Sequence, residues 1–491
     1  MSKYYLYAAA VQGIQDFIFK TNELRHIVGA SELVEQICTS DFKEFEVPNG
    51  ESVVRAAGNI KYVFTNLEDC KKAFRNFPKK IMIKAPGITV SQAVYGYDND
   101  DEFGKAIDEV EQLLKVQRNK PPKSVLSGLM GIKRANNTGL PVTAVKGEFL
   151  DDATRAKLAV SDKLLELSRK SFGQDSLSQR ELAYNISDIT GKNDWIAIIH
   201  ADGNGVGKVV QKIGTKKAIF KEFSKKLDDA TKAAANEAYK AIMGRFGKVT
   251  RIPIRPVVLS GDDMTVIIRG DLAVEYTKTF IVEFESKTKE LLGHILTTNS
   301  VFDNGADHLT ACAGITFIKS SYPFYYGYQL AEELCGQAKK DTKALAKEDC
   351  LPDSCLMFHK VQDSFITNYE DIVERELTAQ DDNSESIPLF KAGPYYIAEK
   401  EKRHTVDELK DLANMLDLES SNGVKSGVRN WISLRLEGSN KAKQRKERMT
   451  QLFTEDNKLI IEELTNEENG SCIAYDVLAY HTIMNQEINN E

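Results

Sequence analysis

Three aspartates lie where glycine-rich or polar segments interrupt apolar runs. Asp202 follows the apolar run at residues 195–200 and begins the segment DGNGVGK, and Asp262 and Asp263 lie within the β-rich segment 257–268. Mg²⁺ prefers oxygen ligands and is usually held by a few carboxylates together with substrate phosphates. Two adjacent acids in an apolar hairpin repel each other unless a cation compensates their charge. The pattern therefore predicts a site for two divalent ions, Mg²⁺ or Mn²⁺, with Asp202, Asp262 and Asp263 as metal ligands and catalytic residues.

Two ions held in this way promote attack by a ribose hydroxyl and neutralise the charge of a leaving pyrophosphate. This is the chemistry of nucleotidyl transfer, and it predicts ATP or another nucleoside triphosphate as the substrate. A solvated turn is an equally good interpretation of Asp262 and Asp263 taken alone. The position of Asp202 at the end of a second apolar run favours the metal site.

Residues with bare backbone or positive charge near these aspartates are the candidates for triphosphate binding. They are Gly203, Asn204, Gly205, Ser260, Gly261, Lys339 and Lys340. The glycine segment does not match the GxxxxGK[ST] phosphate loop, because its spacing differs and Val209 replaces the hydroxyl residue. A plain strand-to-helix connection remains an alternative for that segment. For the two lysines, the alternative is a favourable charge at a helix C-terminus.

An internal repeat supplies the elements that must position these residues. The segment 53–64 (VVRAAGNIKYVF) and the segment 257–268 (VVLSGDDMTVII) both predict a hairpin with glycine at its tip. In each half a strand and a helix precede the hairpin, and a strand and a helix follow it. The predicted strands are 4–10 and 85–90 in the first half and 195–200 and 312–317 in the second, and the predicted helices are 23–38, 101–115, 216–243 and 325–340.

This order is that of a ferredoxin-like palm, in which helices pack on one face of an antiparallel sheet. The predicted fold class is α+β, with a first palm at residues 1–118, a helical linker subdomain at 119–190, a catalytic second palm at 191–370 and a C-terminal helical domain at 371–491. The first palm is predicted to be degenerate. Its hairpin tip reads Ala57-Gly58-Asn59, and its first strand runs into Val11-Gln12-Gly13-Ile14-Gln15 with no aspartate at the place that matches Asp202.

The bulk composition indicates a soluble globular protein. Of the 491 residues, 42% are hydrophobic and 28% are charged, and the net charge is −7. No apolar run approaches the roughly 18 residues of a membrane span, and the seven cysteines are scattered, as in a reducing compartment. We therefore expect a cytoplasmic protein without membrane contact. The acidic balance argues against a protein that coats nucleic acid by charge alone.

These residues resemble the large polymerase–cyclase subunit of type III CRISPR effector complexes. VQGIQDFI at 11–18, LR at 24–25 and GAS at 29–31 look like the N-terminal signature of that family, and DGNGVG at 202–207 looks like its first metal motif. SGDD at 260–263 looks like its GGDD hairpin, with Ser260 in place of the first glycine. The second palm of that family is similar to the palm of GGDEF-type diguanylate cyclases, in which carboxylates matching Asp202 and Asp263 bind metal and a lysine matching Lys339 contacts triphosphate.

The resemblance implies a cyclic oligonucleotide messenger made in antiviral defence and read by a downstream effector. It also implies guide or target RNA and other CRISPR subunits as partners. The alternative is a scaffold subunit of a guide-RNA complex in which cyclase activity is silent or secondary. Many family members begin with an HD nuclease domain and carry zinc-binding cysteines between the palms. Here the palm strand starts at Tyr4 and residues 71–311 contain no cysteine, so neither feature is expected.

Overall fold

The computed structural model describes most of the chain. The described residues are 3–56, 58–119, 131–161, 163, 165–174, 177–190, 195–245, 251–362, 368–381, 386–417, 423–467 and 470–484. Ala57, at the tip of the first predicted hairpin, lies outside them.

The first half is built on a four-stranded antiparallel sheet. Its strands lie in the order β2-β3-β1-β4, with β1 at Tyr4–Gln12, β2 at Glu51–Ala56, β3 at Asn59–Phe64 and β4 at Thr89–Tyr97. A two-residue connection joins β2 to β3, since Ala56 pairs with Asn59. Gly58 in that connection has a φ of 83°, a conformation that glycine adopts without steric cost. The strand order is that of the predicted palm.

Helices cover both faces of this sheet. They are α1 (Ile14–Phe19), α2 (Leu24–Gln36), α3 (Leu67–Lys84) and α4 (Phe103–Arg118). Side chains alternate between the two faces of a strand. Accordingly, Tyr7 and Ala9 of β1 pack in the core that contains α2 and α3, whereas Leu6 and Ala8 pack with α4 in a second core. The expectation of helices on one face therefore needs correction, because β1 is apolar on both sides.

The described residues between the halves include a short hairpin and three α-helices. The hairpin strands are β5 (Ala144–Lys146) and β6 (Glu148–Leu150), and the helices are α5 (Asp152–Ser161), α6 (Glu166–Phe172) and α7 (Ser187–Thr190). α5 packs closely on α2 of the first half. A Cβ built on Gly29 would lie 2.1 Å from the carbonyl oxygen of Lys157, so this contact requires glycine in α2.

The second half repeats the first with longer elements. Its strands are β7 (Trp195–Asn204), β8 (Ile254–Ser260), β9 (Asp263–Arg269), β10 (Thr310–Lys319) and β11 (Cys355–Lys360), and its helices are α8 (Val206–Ile213), α9 (Lys217–Met243), α10 (Ala273–Thr298) and α11 (Phe324–Leu345). β7 is buried on both sides, as its continuous apolar run predicts. Among the described residues, each half contains two helices that the repeat did not predict, α1 and α3 in the first half and α8 and α10 in the second. α3 and α10 each lie between the hairpin and the next strand.

The C-terminal region is mainly helical, as predicted, but it also contributes short strands. Its helices are α12 (Tyr369–Ile372), α13 (Val406–Met415), α14 (Val424–Glu437), α15 (Ser439–Leu452), α16 (Glu455–Leu464) and α17 (Ala474–Met484), and its strands are β12 (Ala379–Gln380), β13 (Ser386–Ile387) and β14 (Tyr395–Tyr396).

β14 extends the second sheet, whose order is β14-β11-β10-β7-β9-β8. This sheet is mixed rather than purely antiparallel, since β10 and β11 run parallel. Among the described residues, every helix is too short or too polar to cross a lipid bilayer.

Candidate active site

β7 and the β8–β9 hairpin bring three aspartates together at one end of the second sheet. Ala201 of β7 pairs with Met264 of β9, so Asp202 and Asp263 are the next residues of two neighbouring strands. Gly261 and Asp262 form the connection of the hairpin, and Gly261 has a φ of 64°. A type II′ turn requires glycine at that position.

One carboxylate oxygen each from Asp202, Asp262 and Asp263 lies within 4.8 Å of the other two. Within the described part of the chain, this is the only group of three or more side chains that could hold a metal ion. Burial raises the pKa of Asp262, and the neighbouring Asp202 carboxylate raises it further. Burial also raises the pKa of Asp263, together with the charges of Asp262 and Asp202. A divalent cation would relieve this repulsion, and the three carboxylates are the oxygen ligands that Mg²⁺ prefers.

Among the described residues, Lys339 of α11 is the one basic side chain that contacts this aspartate cluster. Its ammonium forms an ion pair with Asp202 and donates a hydrogen bond of 2.9 Å to the carbonyl oxygen of Gly203. Burial lowers the pKa of Lys339, but the neighbouring acidic groups, with Asp202 first among them, together outweigh burial and the net shift of the pKa is upward. Lys340, by contrast, is exposed and lines a separate cavity with Tyr369 and Glu370. The structure therefore brings Lys339, but not Lys340, to the aspartates.

The glycines after Asp202 allow a close approach of backbone to the cluster. A Cβ on Gly203 would lie 2.8 Å from the Cβ of Asp262, so only glycine fits there without movement. Gly205 has a φ of 81° and precedes α8, whose first backbone amides lack partners within the helix. Such amides form a ready anion-binding site.

Two other predicted ligand residues have partners within the sheet. The side chain of Asn204 is buried and donates to Thr310 Oγ1 at 3.2 Å and to the sulfur of Cys312 at 3.3 Å, both on β10. Ser260 is 8% exposed, pairs with Asp263 in the hairpin and lines the cavity described next.

A cavity of about 300 Å³ lies beside Asp202 and Asp263, between the two halves of the molecule. The first half contributes Gln15, Ser31, Val34 and Glu35 among its lining residues, and the second contributes His200, Thr265, Tyr328 and Glu332. Gln15 Nε2 donates to the Tyr328 hydroxyl at 2.8 Å and so links the two walls.

Sequence reasoning did not identify these wall residues. One signal was present, since Tyr328, Glu332 and Lys339 have the spacing of one helix face.

The matching position in the first half carries no acid. Ala9 pairs with Ile60 as Ala201 pairs with Met264, and the next residues of the two strands are Ala10 and Asn59. These residues take the places of Asp202 and Asp263. Within the part of the chain that the structure describes, only the second half therefore has the carboxylates for a metal site of this kind.

Residues 195–346 match the family described as Cas10/Cmr2, second palm domain. No curated protein sequence matches the chain.

Solved structures share the fold of nearly the whole chain. Csm1 in the crystal structure of a Csm1–Csm4 cassette in complex with cA4 is 12% identical, with a TM-score of 0.57 over 98% of this chain and 70% of that chain. Csm1 in the cassette with AMPPNP is 13% identical, with a TM-score of 0.55 over 98% of this chain and 69% of that chain. Csm1 of T. onnurineus is 12% identical, with a TM-score of 0.55 over 98% of this chain and 70% of that chain.

Proposed function

We propose that this Cas10-like chain, whose residues 195–346 match the second palm domain of Cas10/Cmr2, is a two-metal nucleotidyl cyclase. It joins nucleoside triphosphates, with ATP as the first candidate, into a cyclic oligonucleotide messenger for antiviral defence. The arrangement of Asp202, Asp262 and Asp263 beside Lys339, at the mouth of a cavity between two palms, carries this proposal. The nucleotides in the similar Csm1 structures, cA4 and AMPPNP, agree with it.

The three aspartates would hold two divalent ions. When bound, such ions stabilise the charge that develops on the attacking hydroxyl and on the leaving pyrophosphate. Asp202 keeps a third (33%) of its side chain exposed, so the cluster is open to a ligand. An ion pair alone does not balance the cluster, because Lys339 offers one positive charge against three carboxylates.

The backbone and Lys339 would hold the triphosphate. The backbone of Gly203 lies against Asp262, and Gly205 leads into α8, whose first amides suit a phosphate. Lys339 lies at hydrogen-bond distance from Gly203, so its ammonium is within reach of an anion bound there.

The cavity between the palms would hold the nucleoside. Its walls come from both halves, so the palm that lacks acids still shapes the pocket. A bound nucleotide would then present a 2′- or 3′-hydroxyl to the α-phosphate of another. Repeated transfer followed by ring closure gives a cyclic product.

The direct test is to incubate the purified protein with each nucleoside triphosphate and Mg²⁺ or Mn²⁺, and to identify products by mass spectrometry. Pyrophosphate release is followed in parallel. Asp262→Asn and Asp263→Asn should each abolish turnover while the protein stays folded. Asp108→Asn, at an exposed position of α4, serves as the matched control and should leave turnover unchanged. Turnover that survives in the double variant Asp262→Asn/Asp263→Asn would exclude this site as the catalytic centre.

Assembly with a second subunit is the other part of the proposal. Two of the similar Csm1 chains come from crystal structures of Csm1–Csm4 cassettes, and each likeness covers 98% of the present chain. We propose that this chain also works as a subunit of a type III CRISPR complex with guide RNA. Purification from its host under gentle conditions, followed by sequencing of bound RNA and identification of bound proteins, tests this. If neither RNA nor a partner subunit is recovered, a free-standing cyclase remains.

A further inference from the structure

The end of α11 that carries Lys339 is also bound to the C-terminal region. Asp341, two residues after Lys339, accepts a hydrogen bond of 2.7 Å from the Tyr396 hydroxyl. It also accepts two from Arg403, of 3.2 Å from Nε and 2.9 Å from Nη2. Tyr396 lies on β14 and Arg403 lies just before α13. Two charged hydrogen bonds from one guanidinium fix direction as well as distance.

Lys339 and Asp341 project from different sides of the helix. At 3.6 residues per turn, a separation of two residues corresponds to a rotation of about 200°. α11 is therefore held from two sides, by the ion pair of Lys339 with Asp202 and by the contacts of Asp341 with Tyr396 and Arg403. Rotation or tilt of this helix end would move the lysine away from the backbone of Gly203.

The donors to Asp341 are themselves held in place. The backbone N–H of Tyr396 donates to the carbonyl oxygen of His404 at 2.9 Å. Lys400, at the start of the turn that ends at Arg403, forms an ion pair of 2.5 Å with Asp353. The carbonyl oxygen of Asp353 accepts from the Thr342 hydroxyl of α11 at 2.8 Å. The segment 395–404 thus forms a closed set of contacts around the last turns of the helix.

We propose that Arg403 and Tyr396 are positioning residues for Lys339, through which the C-terminal region sets the affinity of the site for triphosphate. This inference rests on the proposed function. It makes the binding of substrate depend on the C-terminal region, which lies outside both palms.

The test is the steady-state kinetics of Arg403→Ala, with ATP as the first substrate. A misplaced Lys339 weakens ground-state binding of the triphosphate, so we expect KM to rise and kcat/KM to fall about 5- to 30-fold, with a smaller change in kcat. Arg403→Lys keeps the charge but loses the two-point contact, and it should recover part of the loss. The control is Lys410→Ala, which breaks an ion pair of 2.7 Å between α13 and Glu275 of α10 and should leave KM unchanged.

A double-mutant cycle separates positioning from general stability. In a Lys339→Ala background, Arg403→Ala should cause no further rise in KM. Full additivity of the two losses, or an unchanged KM in Arg403→Ala with a lowered Tm, would show a purely structural contact and overturn the inference. If Arg403→Ala does not fold, Tyr396→Phe removes a single hydrogen bond and should raise KM by a smaller factor. An inactive wild-type protein would instead refute the proposed function, so the two failures are distinguishable.

Discussion

Lys339 and Lys340 are chain neighbours with opposite surroundings, and they provide a test at the scale of single residues. Lys339 contacts Asp202 and Gly203, whereas Lys340 is exposed on another side of α11. A hydrogen bond from a charged group contributes ~2 kcal/mol. We therefore expect Lys339→Ala to lower kcat/KM for a nucleoside triphosphate about 30-fold, mainly through KM. Lys340→Ala is the matched control, and an equal loss in both variants would contradict the assignment of Lys339 to triphosphate.

The members of the aspartate cluster could be predicted from sequence because each lies at the end of a strand or in a tight turn, which short sequence patterns indicate. Asp262 and Asp263 are fixed by a two-residue turn, and Asp202 by the end of a buried strand. The side-chain partners of Asn204 could not be predicted, because they lie on β10, more than a hundred residues away. The pairing of Gln15 with Tyr328 was equally hidden, since it joins two halves that are separate in the sequence.

At the scale of elements, the contact of α11 with β10 decides where Lys339 lies. A Cβ on Gly314 of β10 would lie 2.0 Å from the carbonyl oxygen of Ala331 and 2.5 Å from the amide nitrogen of Cys335. Both are rigid backbone atoms. Gly314→Ala should therefore force α11 away from the sheet, with a loss of about 2–4 kcal/mol in the free energy of unfolding, as for other overpacked or strained core sites. Nucleotidyl transfer should fall with it.

Gly336 on α11 is the control for that substitution. A Cβ there meets no atom within 4 Å, so only helix propensity changes. Gly336→Ala should raise the free energy of unfolding by about 0.5–1 kcal/mol and leave turnover intact. Chemical denaturation of both variants measures the difference. Similar stabilities for the two would mean that α11 does not pack on β10 at Gly314 as described.

The repeat predicted strands and hairpins better than it predicted helices. Both hairpins have glycine at a position that needs a positive φ, and such turns leave a clear mark in sequence. α3 and α10 each lie between a hairpin and the next strand, where the predicted repeat has only a connection. The second face of the first sheet was missed because the alternating side chains of β1 are apolar on both sides, and Ala8 and Ala10 give little indication of what covers them.

At the scale of the whole molecule, the C-terminal region is joined to the second palm. β14 pairs with β11, so a strand from the predicted helical domain extends the palm sheet. The domain boundary predicted at residue 370 stays a prediction, and α12 begins at Tyr369. A two-residue strand carries too little periodicity to be recognised in sequence, since strand signals need runs of about four to eight residues. Together with the contacts of Asp341, this pairing makes the C-terminal region part of the framework of the site.

The pH dependence of stability tests how firmly this region is attached. Asp476 of α17 is buried and accepts a hydrogen bond of 2.7 Å from the Tyr395 hydroxyl of β14. Burial raises the pKa of Asp476 to about 7, whereas in an unfolded chain it is about 3.9. Between these values the folded protein binds more protons than the unfolded chain, so its stability falls as the pH rises, and the loss is complete above the folded pKa.

Asp476→Asn removes this titration and keeps an acceptor for Tyr395. The variant should be more stable than the wild type at pH 8, by up to about 4 kcal/mol, and the difference should shrink steadily towards pH 4. Other titrating groups are common to both proteins, so the difference between their stability curves isolates Asp476. Urea denaturation at intervals between pH 5 and pH 8 measures it, with Asp411→Asn, at an exposed position of α13, as the control. Parallel curves for the wild type and Asp476→Asn would mean that α17 opens away from β14 before Asp476 ionises, and that the C-terminal region is attached less firmly than its contacts indicate.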